Sequence, residues 1–335
     1  MRVFGFLIAG CISIPILLLL TALTCYSLDT AWKTEQYGDF VFEYPSGTHK
    51  TIAFLKRTCS LLEERISEDL PLKEVGEVRV VLVTNMEQFL EKQPEGHLSS
   101  PWIAGVAYPE HGLVILKSPR MLLGAQPAFE KVLYHEIAHI ALHRALSCRH
   151  TTTVHNEDVS SPIPARDPCV PLWLHEGYAI FVAREWSLER EITLGKAVLQ
   201  RHLIPLGRLV SRFPGEEPGV NLAYAESADL IHFLRNEYGA PAFRTFILHM
   251  GKGQRFGGAL REAFGVTFQE LEHKWVSHLE RRYHRFSLLG SVSLVWAMAT
   301  LLFLAAYIRK KIIVRKIRKR WEDNEDEGHP GANLN

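Results

Sequence analysis

Two short stretches hold residue types whose spacing could do chemistry. The first is His135-Glu136-Ile137-Ala138-His139, an HExxH pattern. On a helix, residues four apart lie one turn above each other, so both imidazoles can approach one cation from the same face, about 6 Å apart along the axis. Zinc at a catalytic centre takes three protein ligands and keeps a fourth position for water. His135 and His139 supply two. Glu136 then stands beside them as a carboxylate able to accept a proton from an attacking water. Its competitor is a helix with two exposed histidines and a surface glutamate.

The second stretch is Trp173-Leu174-His175-Glu176-Gly177-Tyr178-Ala179. His143 is a tempting third ligand, but it lies about 12 Å along the helix from His135 and is rotated by about 80°. It reads as a surface histidine or a neighbour of the ligands. On the next helix His175 and Glu176 project about 100° apart, so only one of the two can ligate.

These residues carry a resemblance. The second stretch resembles the WLxEGxA motif of gluzincin metallopeptidases, the aminopeptidase-N-like and peptidase MA-like domains, in which that glutamate is the third zinc ligand. Tyr224-Ala225-Glu226-Ser227-Ala228 resembles a helix start of the same families, and Phe264-Gly265 through Trp275 resembles their closing helix. The resemblance implies one Zn²⁺ held by His135, His139 and Glu176, with Glu136 as base and Tyr224 donating its hydroxyl to the oxyanion. It also implies a peptide or protein substrate, whose backbone would pair with an edge strand at about residues 102–108. A non-catalytic, zinc-stabilised binding or scaffold module of the same fold is the alternative.

Two departures matter. Ala104-Gly105-Val106-Ala107-Tyr108 lacks the glutamate with which aminopeptidases hold a free amine, so the exopeptidase reading has no support. The thermolysin pattern places an acid four residues after its glutamate ligand, and here that position is Ile180, which leaves the partner of the ligating histidines unidentified.

The elements that must position this chemistry follow from periodicity. Residues 39–44 and 78–83 read as strands, 102–108 and 113–116 as a hairpin, and 49–70 as a helix through Ile52, Leu55, Cys59, Leu62, Ile66 and Leu70. The HExxH run spans about 127–145 and the Glu176 helix about 171–186. Lys131, Arg144 and Glu130 make the first of these a buried helix of a globular domain. Helices follow at 194–203, 206–213, 226–238 closed by Gly239, 241–250, and 267–286 opened by a Thr267/Glu270 capping box. The fold class is therefore α+β, with a small mixed sheet in front and a helical subdomain behind, which the resemblance implies is a thermolysin-like zincin domain.

Composition places that domain. Hydrophobic residues make up 47% and charged residues 22%, and the net charge of +1 points to no nucleic-acid partner. The apolar run 3–23 would rise about 31 Å as a helix, enough for a bilayer. It reads as an anchor within 1–28, against a signal peptide whose cleavage site, Ala22-Leu23-Thr24-Cys25, would be poor. A second uncharged run, 288–308, precedes Arg309, Lys310, Lys311, Arg315, Lys316, Arg318, Lys319 and Arg320. The expectation is two spans with both termini cytoplasmic. The peptidase domain, 29–286, is then extracytoplasmic, facing a bacterial periplasm, with membrane lipids as partners. The segment 287–308 is the second span and 309–335 a basic, then acidic tail. Outside the cytoplasm, Cys148 and Cys169 bracket a polar loop that a disulfide could close, leaving Cys59 over.

Overall fold

The computed structural model describes residues 31–96, 103–122, 129–146, 170–215, 218–289 and 292–327. It divides into two compact units, Met1–Trp275 and Val276–Asn335.

The first unit opens with a five-stranded sheet. Its strands are β1 (Trp32–Tyr37), β2 (Phe40–Pro45), β3 (Val78–Val83), β4 (Gly105–Tyr108) and β5 (Leu113–Lys117), in the order β1-β2-β3-β5-β4. The β2-β3 and β3-β5 pairs are parallel, whereas β1-β2 and β4-β5 are antiparallel. The sheet is thus mixed, because helix α1 (His49–Asp69) makes the crossover from β2 to β3 while tight turns join the outer pairs. Between β4 and β5, Pro109–His111 forms a 3-10 turn that Gly112 closes at φ 55°, a left-handed conformation cheap only for glycine.

One face of the sheet carries Val81, Val83, Val106, Tyr108, Leu113 and Ile115, packed with Phe89 of the short helix α2 (Met86–Glu91). Helix α3 (Phe129–Leu146) packs on β4 and β5, and α4 (Leu172–Ala183) packs on α3. Helices α5 (Leu188–Gln200), α6 (Gly219–Gly251), α7 (Phe256–Phe264) and α8 (Phe268–Leu289) follow. The expected 206–213 helix is only a 3-10 turn, Leu206–Leu209. The two helices expected on either side of Gly239 run together as α6, which breaks at that glycine, φ 82° and ψ 167°, just ahead of Pro241. The capping box at the start of α8 is present: Glu270 accepts from the Thr267 N–H at 2.7 Å, and the Glu270 N–H donates to Thr267 Oγ1 at 3.3 Å.

The second unit contains helix α9 (Val292–Glu327), and here the expected membrane topology is corrected. No helix among the described residues is long and apolar enough to cross a membrane. Helix α9 takes in the Arg309–Arg320 cations, so its apolar part ahead of them, residues 292–308, would rise only about 26 Å against a hydrocarbon layer of about 30 Å. The flanking pair of transmembrane helices and the two-span, extracytoplasmic placement are therefore not supported among the described residues. The expected anchor within 1–28 and the Cys148–Cys169 pair lie outside the described residues. Cys59 is a buried free thiol on α1, its pKa pushed up to about 12 by burial and by the charge of Glu63.

Candidate metal centre

Helix α3 presents His135, Glu136 and His139 because three contacts hold it. Tyr134 Oη donates to the Thr58 carbonyl of α1 at 2.9 Å. At the last turn Arg144 donates to the carbonyls of Val75 and Glu77, each at 2.6 Å, tying the helix to the segment entering β3. On the sheet side, Gly105 of β4 lets the strand lie against Val132 and Glu136, where a side chain would collide.

Helix α4 brings Glu176. Its position depends on Gly177: a Cβ there would stand 2.3 Å from the carbonyl oxygen of Ser227 on α6, so only glycine permits this crossing. The next residue along from Glu176 is therefore in backbone contact with α6.

The donor atoms of His135, His139 and Glu176 all lie within 4.8 Å of one another. Glu176 Oε2 is 3.6 Å from His135 Nε2 and 3.9 Å from His139 Nε2. A tetrahedral zinc with ligands near 2.1 Å separates its ligand atoms by about 3.4 Å, so the three groups stand close to the spacing the ion requires. The imidazole rings meet edge to face with centroids 4.9 Å apart. His139 and Glu176 are buried, and two imidazoles with one carboxylate are the donor set zinc prefers. The residues fit the ion.

His175 is buried with its ring centroid 6.1 Å from that of His139 and contributes no atom to the triad, as the helical geometry of the pair requires. His143 also stands outside the triad. Glu136 is buried next to His135. Tyr224 is in the first turns of α6, three residues before Ser227, its ring edge-on to Phe213 at 5.1 Å between centroids.

One residue of the site has no local signature in the sequence. Glu185, just past α4, places Oε2 3.5 Å from His135 Nδ1. Ile180, where the thermolysin pattern has an acid, is instead buried, and its carbonyl accepts the Glu185 N–H at 3.1 Å. The electrostatics follow from these contacts. Burial disfavours a charged His135, but the Glu176 and Glu185 carboxylates outweigh it and Glu136 adds to them, raising the pKa to about 10. For Glu185 burial acts upward, and His135 and Arg190 overcome it to hold the carboxyl below its ordinary value. The only sequence signal was an acid near the end of the Glu176 helix, which spacing alone could not direct at His135.

Residues 91–281, more than half of the chain, match the Peptidase MA superfamily. No curated protein sequence matches. Among solved structures, the chain is similar to an M1 zinc metallopeptidase from Deinococcus radiodurans, 18% identical, covering 73% of this chain and 51% of that one with a TM-score of 0.37. It is also similar to leukotriene A4 hydrolase from Saccharomyces cerevisiae, 13% identical, covering 73% and 38% with a TM-score of 0.41. The chain spans about half the length of the first of these and less of the second.

Proposed function

This chain belongs to the Peptidase MA superfamily, and from that premise we propose that it is a zinc metallopeptidase that hydrolyses peptide bonds. The observation that carries the proposal is the His135, His139 and Glu176 triad, assembled from two helices at near-zinc spacing with Glu136 beside it. One zinc ion per chain would be held by those three residues. When bound, it supplies Lewis acidity that polarises the scissile carbonyl and makes water a better nucleophile at neutral pH.

The protein's own groups do the rest. Glu136 accepts the proton of the attacking water and delivers it to the departing amine, the task its place one residue after a ligand suits. Tyr224 donates its hydroxyl to the oxyanion; the backbone contact of Gly177 with Ser227, on the same stretch of α6, supports placing it near Glu176. The substrate backbone pairs with β4. That strand ends the sheet, and the bond from Lys117 N–H to the Ala104 carbonyl, 3.0 Å, sets a register in which Gly105 and Ala107 turn their N–H and C=O groups away from β5.

The full-length chain should copurify with or take up one zinc, and Glu136→Gln should keep it while lowering hydrolysis of a peptide library by at least about 100-fold. Loss of zinc from that variant, or undiminished hydrolysis, overturns the role of Glu136. A scaffold module, by contrast, would bind zinc and cleave nothing.

A further inference from the structure

We infer that Glu185 is the positioning residue of the metal centre, holding His135 in the tautomer and orientation that present Nε2 to the ion, and that the first turn of α5 is built to keep Glu185 in place. The inference rests on the zinc reading above.

His135 faces two carboxylates through its two ring nitrogens. Nε2 looks toward Glu176 and the donor triad, and Nδ1 toward Glu185. Nδ1 is buried and has no hydrogen-bond partner within ordinary geometry among the described residues, so the Glu185 oxygen at 3.5 Å is the acceptor within reach. An imidazole that gives Nε2 to a metal must carry its proton on Nδ1. A carboxylate on that side fixes this tautomer, prevents the ring from flipping, and makes Nε2 a stronger donor.

Glu185 does not reach Nδ1 by chance of a loose loop. Arg184 takes a left-handed conformation, φ 52° and ψ 44°, and sends its N–H back to the carbonyls of Ile180 and Phe181, which turns the chain so that the next side chain points at α3. Arg201 closes α5 in the same conformation without any acid following it, so the turn alone signifies nothing. What distinguishes this one is the grip on Glu185. Arg190 donates to the Glu185 carbonyl and places Nη2 3.7 Å from its carboxylate. Ser187 Oγ accepts the Arg190 N–H at 3.2 Å as the cap of α5, and Trp186 Nε1 donates to Glu191 at 2.9 Å. Residues 184–191 thus form a brace that holds the Glu185 carboxylate toward His135.

The test is zinc affinity of the full-length protein, measured by chelator competition, together with the melting temperature of the metal-free form. Glu185→Gln should weaken zinc binding by about 10–100-fold while lowering metal-free stability by clearly less, because the carboxylate also pairs with His135 and Arg190 when no metal is bound. Arg190→Gln should weaken it in the same direction by a smaller factor. Equal affinities in wild type and Glu185→Gln overturn the inference, and so does a fall in metal-free stability that matches the loss of affinity, which marks a purely structural residue. A wild-type protein that binds no zinc at all refutes the metal reading itself, an outcome distinct from either.

Discussion

Gly105 and Glu136 touch across the boundary between sheet and helix: a Cβ on Gly105 would lie 3.1 Å from Glu136 Cγ and 2.9 Å from both Leu116 Cδ2 and Val132 Cγ1. The last strand of the sheet therefore rests on the stem of the proposed base, and the missing side chain is what allows it.

Gly105→Ala should accordingly impair catalysis through crowding. Overpacking costs about 1–3 kcal/mol of stability, and a displaced Glu136 should lower kcat more than it raises KM, with zinc content unchanged. Steady-state kinetics and a denaturant melt on the same preparation check this. A variant with wild-type kcat would show that β4 and Glu136 relax independently.

Tyr224→Phe removes one hydroxyl and leaves the ring packed on Phe213. Loss of a single oxyanion donor costs about 100–1000-fold in kcat. The expected result is that loss with zinc affinity and melting temperature at wild-type values. Unchanged turnover would assign Tyr224 to packing alone.

Glu226 makes stability fall as pH rises. It is fully buried on α6; its Oε1 accepts the Ile204 N–H at 2.9 Å, and Oε2 has no hydrogen-bond partner among the described residues. Burial lifts its pKa from 4.5 to about 8; the Ile204 bond opposes this and the charges of Glu272 and Asp229 add to it. The folded state then holds the proton more tightly than the unfolded chain. This group's contribution is intact below about pH 4.5 and declines as pH rises toward 8. Glu226→Gln can keep the bond to Ile204 through its amide oxygen and has nothing to ionise. Melting curves from pH 5 to 8.5 should show the variant gaining on wild type throughout; a constant difference would mean Glu226 does not titrate in this range.

The sequence alone was enough for the interactions that are local along the chain. His135, Glu136 and His139 sit at helical spacing, and the structure puts them on one helix for that reason. Strand β3 and helix α1 were legible from runs of apolar residues at periods of two and of 3.6. Strand β1 was not. All but its first residue are exposed, so no apolar alternation marks it, and it exists because β2 pairs with it. The amphipathic start of α5 at Leu188 was missed for a similar reason: Leu188 and Ile192 are exposed, and the Ser187 cap begins the helix. The run 288–308 looked uniform by composition, yet α9 begins within it and continues into the cations, which a count of uncharged residues does not show.

Tertiary structure decided everything that depends on two segments meeting. The resemblance named Glu176, but its approach to His135 and His139 comes from α4 packing on α3, which Gly177 permits by letting α6 come within backbone contact. Glu185 became visible only when the left-handed turn at Arg184 aimed it at His135, on a helix well back in the chain. Spacing along a helix is set by the backbone's own geometry and can be read from letters. Distance between helices is set by which side chains are small enough, or absent, where they cross, and that is known only once the chain has packed.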